Sequence, residues 1–337
     1  MKKKTLIKKV ICTAVFACSL VLNAQISVDN KVDTNAMYSN LQEAVNAANT
    51  GDTIYVHSST IRYGNVAIDK KIVLLGRTPR TNSAQIQGIE IKLSGSGTII
   101  KGLRISSIST TFATNLLIEN NWITSGISFG NPTTTNRIAT IRGNFISSIF
   151  NPRKTLITNN YITGSINSIQ EVNTTIITNN LFPVGVGIYN ADNANGKKAL
   201  VQNCMFLGRS TSPLTQRFDN LNLTNCLFFN YGGATFEVNE SGSSNSSFSD
   251  ILENTNPQFT KFNDADFADI TNDFTLRTGS PAISAGLNNQ QIGIMGNGYT
   301  YRATLHPFGI PTIQIVSSTG EVPENGTLKV TFTGKSN

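Results

Sequence analysis

Carboxylates, cations, thiols and aromatic ring faces are the groups in this chain that could do chemistry, and their spacing sorts them. Glycoside hydrolysis needs a pair of carboxyl groups flanking one sugar bond. Between Ile100 and Phe236 the carboxylates are Glu119, Glu171, Asp192 and Asp219, and none lies near another in sequence. Glu119 falls at the same repeat position as Arg142, where an ion pair is the simpler reading. Elimination at a uronate needs instead a base for the proton beside the sugar carboxylate, with positive charge to hold the enolate-like intermediate. Arg142, Arg153, Lys154, Lys197 and Lys198 are the cations that could serve. Arg153-Lys154 follows Asn151-Pro152 in a turn, where the side chains either reach a groove or stay in solvent. Calcium prefers several carboxylates among its oxygen ligands, and this stretch lacks them, so no metal or other cofactor is expected. His57 and His306 stand far apart without Cys or carboxylate company, which is not a zinc pattern. No phosphate-binding glycine loop is present.

Ring faces are a different resource. Trp122, Phe145 and Tyr161 recur once per repeat at one position, and the same column continues as Leu181, Met205 and Leu227. Exposed, such rings would stack on the C–H faces of sugars; covered, they are ordinary packing. Trp122, Arg142, Tyr161, Arg153 and Lys154 are therefore the candidate ligand-binding residues, and no catalytic, cofactor or metal residue is assigned.

These groups must be positioned by a repeat. A phrase of the form aliphatic, polar, Asn or Gly, Asn or Cys, bulky apolar, Ile or Phe recurs six times from Ile118-Glu119-Asn120-Asn121-Trp122-Ile123 to Leu223-Thr224-Asn225-Cys226-Leu227-Phe228. The spacing averages about 21 residues, within the range of solenoid repeats. Alternating Ile, Thr and Val have the period of a strand, and Asn tolerates the left-handed conformation of a tight corner. One coil cannot bury its own apolar residues, but coils stacked about 4.8 Å apart can. Stacking puts Ile118, Ile141, Ile157, Ile177, Val201 and Leu223 in one column and Ile123, Ile146, Ile162, Phe182, Phe206 and Phe228 in another. Asn121, Asn144, Asn160 and Asn180 form a third, able to hydrogen-bond along the axis as an amide ladder. Cys204 and Cys226 continue that column in adjacent coils. Their spacing permits either a disulfide or two buried thiols.

The motifs that flank the repeat resemble a known family. Leu41-Gln42-Glu43-Ala44-Val45-Asn46-Ala47-Ala48, then Gly51-Asp52-Thr53-Ile54-Tyr55-Val56 and Lys71-Ile72-Val73-Leu74-Leu75-Gly76, resemble the N-terminal cap and first coils of pectin-lyase-like right-handed parallel β-helix proteins. Asn256-Pro257-Gln258-Phe259, Asp273-Phe274-Thr275-Leu276, Ser280-Pro281-Ala282-Ile283-Ser284-Ala285-Gly286 and Ile292-Gly293-Ile294-Met295-Gly296 resemble the closing module of secreted β-helix proteins of Bacteroidetes type. Ser284 and Gln291 stand where that module usually carries acidic or Asn residues, so no ion site is carried over. The resemblance implies an all-β, right-handed parallel β-helix solenoid with a short N-terminal capping helix and a C-terminal β-hairpin extension.

Residues 1–24 read as a secretory signal: Lys2, Lys3, Lys4, Lys8 and Lys9, an apolar run from Val10 to Leu22, and Leu22-Asn23-Ala24 before Gln25. A lipoprotein box at Cys18 is the competing reading. The other expected segments are 25–262 as the capped β-helix, 263–310 as its closing module and 311–337 as a hairpin sealing or flanking the C-terminal end. Residues 239–250, rich in Ser, Asn and Gly, suggest a flexible excursion before that module. Much of the net charge of +7 belongs to the leader and gives no argument for nucleic acid. From Ile100 to Phe236 ten Lys and Arg face four Asp and Glu, and from Glu237 onward five face ten. A basic body with an acidic end suits a polyanionic partner. The expectation is an exported, secreted or cell-surface protein without an integral span in its mature chain, non-catalytic, binding or displaying toward acidic polysaccharide. The alternatives are a metal-independent polysaccharide lyase acting on uronate glycans by β-elimination, and a structural surface scaffold.

Overall fold

A computed structural model describes residues 26–28, 37–80, 83–130, 137–170, 174–183, 187–189, 199–216, 218–240, 245–307, 312–318 and 330–335. Residues 1–25 with Cys18, and Glu171, Asp192, Lys197 and Lys198, lie outside the described residues. The chain winds into a right-handed parallel β-helix of about 8 turns, all-β, with one α-helix among the described residues and a C-terminal hairpin. No helix among the described residues is long and apolar enough to cross a membrane.

Each repeat phrase makes two strands around a corner. Ala139–Arg142, for example, turns at Gly143-Asn144 into Phe145–Ile146. The first strands stack in parallel register, Ile118 on Ile141 on Ile157 on Ile177 on Val201 on Leu223. The second strands stack Ile123 on Ile146 on Ile162, and Phe182 on Phe206 on Phe228. These residues fill the interior. The three phenylalanine rings stack at 4.7 and 4.8 Å, the coil spacing itself. The register also reveals a seventh copy. Ile100-Lys101-Gly102-Leu103-Arg104-Ile105 lies under Ile118 to Ile123, with Leu103 in place of the second Asn.

The two asparagines of each corner do different work. The first adopts the left-handed conformation, with φ of 54° at Asn120 and Asn159, 55° at Asn179, and 52° at Asn203 and Asn225. The second points inward and builds the expected ladder. Nδ2 of Asn121, Asn144 and Asn160 donates to Oδ1 of the next coil's Asn at 3.1, 2.9 and 3.0 Å. The ladder begins where Leu103 N–H donates to Asn121 Oδ1 at 3.0 Å. It ends where Asn180 Nδ2 meets Cys204 Sγ at 4.0 Å. Cys204 and Cys226 are buried free thiols. They donate to carbonyls within their own corner, Cys204 to Gln202 at 3.3 Å and Cys226 to Thr224 at 3.4 Å. Of the two arrangements that their spacing allows, the structure has the buried thiols.

The front end is closed as the cap motif implies. The helix Leu41–Ala47 buries Leu41, Ala44 and Val45, and the Asn40 side chain accepts from the N–H groups of Gln42 and Glu43. Ile26–Val28 pairs antiparallel with the first coil strand, Thr53–Val56. The expected excursion over 239–250 is corrected in part. Ser247–Ser249 is a strand of the solenoid, pairing with Leu221–Thr224 and setting Phe248 against Leu223. Serine masks the strand in composition, but its alternation with Phe248 is a strand pattern.

The closing module runs along the flank of the solenoid, toward its front. Asn225 Nδ2 donates to Ala285 O at 2.9 Å, and Asn203 Oδ1 accepts from Leu287 N at 2.9 Å. Asn179 Nδ2 donates to Gln291 O and Gly293 O at 3.1 and 3.3 Å, and Asn159 Nδ2 to Ile294 O and Gly296 O at 3.0 and 2.9 Å. Tyr299 Oη donates to Asn120 Oδ1 at 2.7 Å, and Thr78 Oγ1 to Thr304 O at 2.9 Å. The strap thus descends coil by coil along the left-handed asparagines. The described strap ends at Pro307 against Gly102, and Thr312–Ser318 pairs antiparallel with Val330–Lys335 as the expected hairpin.

Gly143 stands in the asparagine column where the strap needs space. A Cβ there would lie 1.8 Å from Tyr299 Oη, and its φ is +66°. Gly143→Ala is expected to cost about 1–3 kcal/mol and to expel Tyr299, read as a lower urea midpoint. Gly298→Ala is the control, because Gly298 has φ +68° with nothing within 4 Å. Equal losses in the two variants would mean that strain alone is at work.

Candidate functional site at the basic corner

The outward column beside the first corner runs Gln85, Arg104, Trp122, Phe145, Tyr161, Leu181, Met205, Leu227 in continuous register. The strap covers its apolar rear. Tyr161, Leu181, Met205 and Leu227 are buried with Phe267, Phe274, Ile292 and Tyr301 in a second core outside the helix. Tyr161 is 1% exposed, stacks on Phe145 at 4.9 Å, and its hydroxyl donates to the Phe267 carbonyl. Burial pushes that hydroxyl well above the ordinary tyrosine value. It borders a cleft of about 390 Å³ shared with Arg209 and Asp266, but its ring face belongs to packing.

The front of the column stays half-open and turns basic. Arg104 and Arg80 lie against the Trp122 ring, 4.3 and 4.9 Å from its centroid, and Arg80 is also 5.0 Å from the Phe145 centroid. Trp122 and Phe145 meet edge to face at 5.8 Å. A guanidinium stacked on an aromatic face keeps its N–H edge for an anion and is already ordered for it. Arg80 also donates to the Ala268 carbonyl of the strap. Arg104 forms no ion pair with a described residue.

Around the corner, Lys101, Glu119 and Arg142 form an outward column of three coils. Glu119 is buried and holds both cations, Lys101 at 2.5 Å and Arg142 through Nε. One carboxylate between two cations leaves net positive charge. The strap crosses the corner at residues 299–302. Burial pushes the Tyr299 hydroxyl up, with Glu119 adding to the shift and Arg142 and Arg302 opposing it. Tyr301 is raised by burial and opposed by Arg80. Arg80, Lys101, Arg104, Arg142 and Arg302 therefore bracket Trp122 and the strap tyrosines, with Glu119 as the counter-charge.

Of the sequence candidates, Trp122 and Arg142 reach this corner. Arg153 and Lys154 sit elsewhere, in the turn between Ile149–Phe150 and Thr155–Thr158. Arg153 is buried there, 8% exposed, not a solvated arm, and Lys154 has φ 43°. Arg80, Lys101, Arg104, Tyr299 and Arg302 were missed. Lys101 and Arg104 carried a signal, the seventh repeat copy, hidden by Leu103. Arg80 lies in the corner loop between Val73–Gly76 and Gln85–Ile91 and left none. No protein-family model matches this chain, and neither does any curated protein.

Proposed function

We propose that this is an exported, non-catalytic β-helix protein, secreted or at the cell surface, that holds acidic polysaccharide at the basic corner. The observation that carries it is the pair of guanidiniums laid against the half-open Trp122 ring, with Lys101, Arg142 and Arg302 beside them. Such a surface offers ordered N–H edges to the carboxylates of a glycan. The leader-like residues 1–24, and the resemblance of the cap and strap motifs to secreted pectin-lyase-like proteins of Bacteroidetes type, support export. Binding is favoured over elimination because Lys101 and Arg142 are committed to Glu119, and the Tyr299 hydroxyl is pushed away from a basic role.

Trp122 is the only tryptophan in the chain, so its emission reports on this corner alone. Polyuronates added to the purified mature protein are expected to change that emission saturably, and salt should weaken the effect. Arg104→Ala should weaken binding about tenfold, a loss of roughly 1.4 kcal/mol. The same mixtures are followed for absorbance of unsaturated uronate ends. Appearance of those ends would replace this reading by a lyase. Silence of both signals across uronate and sulfated polymers would leave a scaffold.

A further inference from the structure

Among the described residues, one face of the solenoid ends at its C-terminal side in an open edge. Ser247–Ser249 is the last strand of the face that starts at Met37–Tyr38, and among the described residues it pairs only with Leu221–Thr224. Next to it, among the described residues, Phe236–Val238 pairs only with Leu214–Gln216. Two N–H groups of that strand are met by side chains in place of a neighbouring strand. Phe236 N donates to Asn254 Oδ1 at 2.7 Å and Val238 N to Glu253 Oε1 at 2.9 Å. These side chains cap that strand, so among the described residues the edge left free for a further strand is that of Ser247–Ser249. A cleft of about 730 Å³ lies between the two edges. Val238, Phe248 and Ile251 give it an apolar floor, and Glu237, Glu240, Asp250 and Glu253, all exposed, give it a rim without a lysine or arginine. Among the described residues these carboxylates are not grouped as a metal site.

We propose that this end docks an extended basic segment of a partner protein, which adds to the solenoid as its next β-strand. An unpaired edge is a template for strand addition. Charge selects the occupant. A second copy docking end to end the same way would set the same four carboxylates against each other. The front of a second copy is already occupied by the helix Leu41–Ala47 and the antiparallel strand Ile26–Val28. A segment alternating apolar residues with Lys or Arg satisfies both surfaces, its apolar side on the floor and its cations at the rim.

The test uses the full mature chain and a fluorescein-labelled decapeptide of alternating Lys and Val, followed by anisotropy and by hydrogen exchange. Saturable binding is expected, with slower exchange at the amides of Phe248 to Asp250. The triple variant Glu237→Gln, Glu240→Gln, Asp250→Asn should bind about tenfold more weakly; Glu253 is kept because it holds Val238 N. A peptide with proline at alternate positions lacks strand donors and should not bind. Equal binding of the proline peptide, protection confined to other segments, no binding at all, or a wild-type dimer closed through this edge would each overturn the proposal.

Discussion

Replacing Asn160 by alanine is expected to lower stability by about 3–5 kcal/mol. Asn160 is fully buried. Its Oδ1 accepts from the backbone N and Nδ2 of Asn144, at 3.0 and 2.9 Å. Its Nδ2 donates to Ile141 O, Thr158 O and Asn180 Oδ1 at 2.8, 2.9 and 3.0 Å. Alanine leaves several of these partners buried without a counterpart. Because coils are held by their neighbours, the loss should spread outward from the third phrase. Hydrogen exchange would show it as faster amides from Ile141 to Ile162, alongside a lower urea midpoint. Asn160→Cys should cost less than half as much, since Cys204 at the equivalent position donates to Gln202 O and reaches Ile177 O at 3.6 Å. An alanine variant within about 0.5 kcal/mol of wild type would show that the ladder is tolerated but adds little.

Alkali should release the strap before it unwinds the coils. Tyr161, Tyr299 and Tyr301 all lie beneath or within the strap, and burial raises each above the ordinary tyrosine value. For Tyr161 the charges of Tyr301 and Asp266 add to the shift and Arg80 opposes it. In a detached strap each hydroxyl would ionise near pH 10, whereas the docked state keeps its proton. The docked state therefore binds more protons above pH 10. Its stability is whole below that pH and falls as pH rises, by about 1.4 kcal/mol per unit for each tyrosine. Trp122 emission should change between about pH 10 and 11, ahead of the far-ultraviolet β signal. Tyr161→Phe should flatten the dependence. Simultaneous loss of both signals would mean that strap and coils melt as one unit.

The coils were legible in the sequence because their causes are local and repeated. Ile141, Gly143 and Asn144 each impose one requirement, and six copies impose it in register. The strap motifs were legible too, but not where they dock. The corner asparagines meet them at the carbonyls of Ala285, Gln291, Gly293, Ile294 and Gly296, and a backbone oxygen has no letter in a sequence. Asn159 and Asn179 could be explained as turn formers, so their second role stayed hidden. The same blindness affected Tyr161. Its column position was correct, yet only the strap decides whether an outward ring meets a ligand or a lid. Arg153 shows the converse error, since Asn151-Pro152 marks a turn without saying that the next side chain folds inward.

The strap visits the coils in reverse, from Asn225 to Asn120 and on to Thr78. During synthesis the coils leave the ribosome first, and Leu227, Met205, Leu181 and Tyr161 then have no cover until the chain has grown some eighty residues past the last of them, to Leu305. The final fastening joins the youngest residues of the strap to some of the oldest turns of the helix. A nascent or truncated chain lacking residues beyond Asn254 would carry a sticky apolar ribbon down its side, and a companion that recognises such ribbons would have that interval, and only that interval, in which to act.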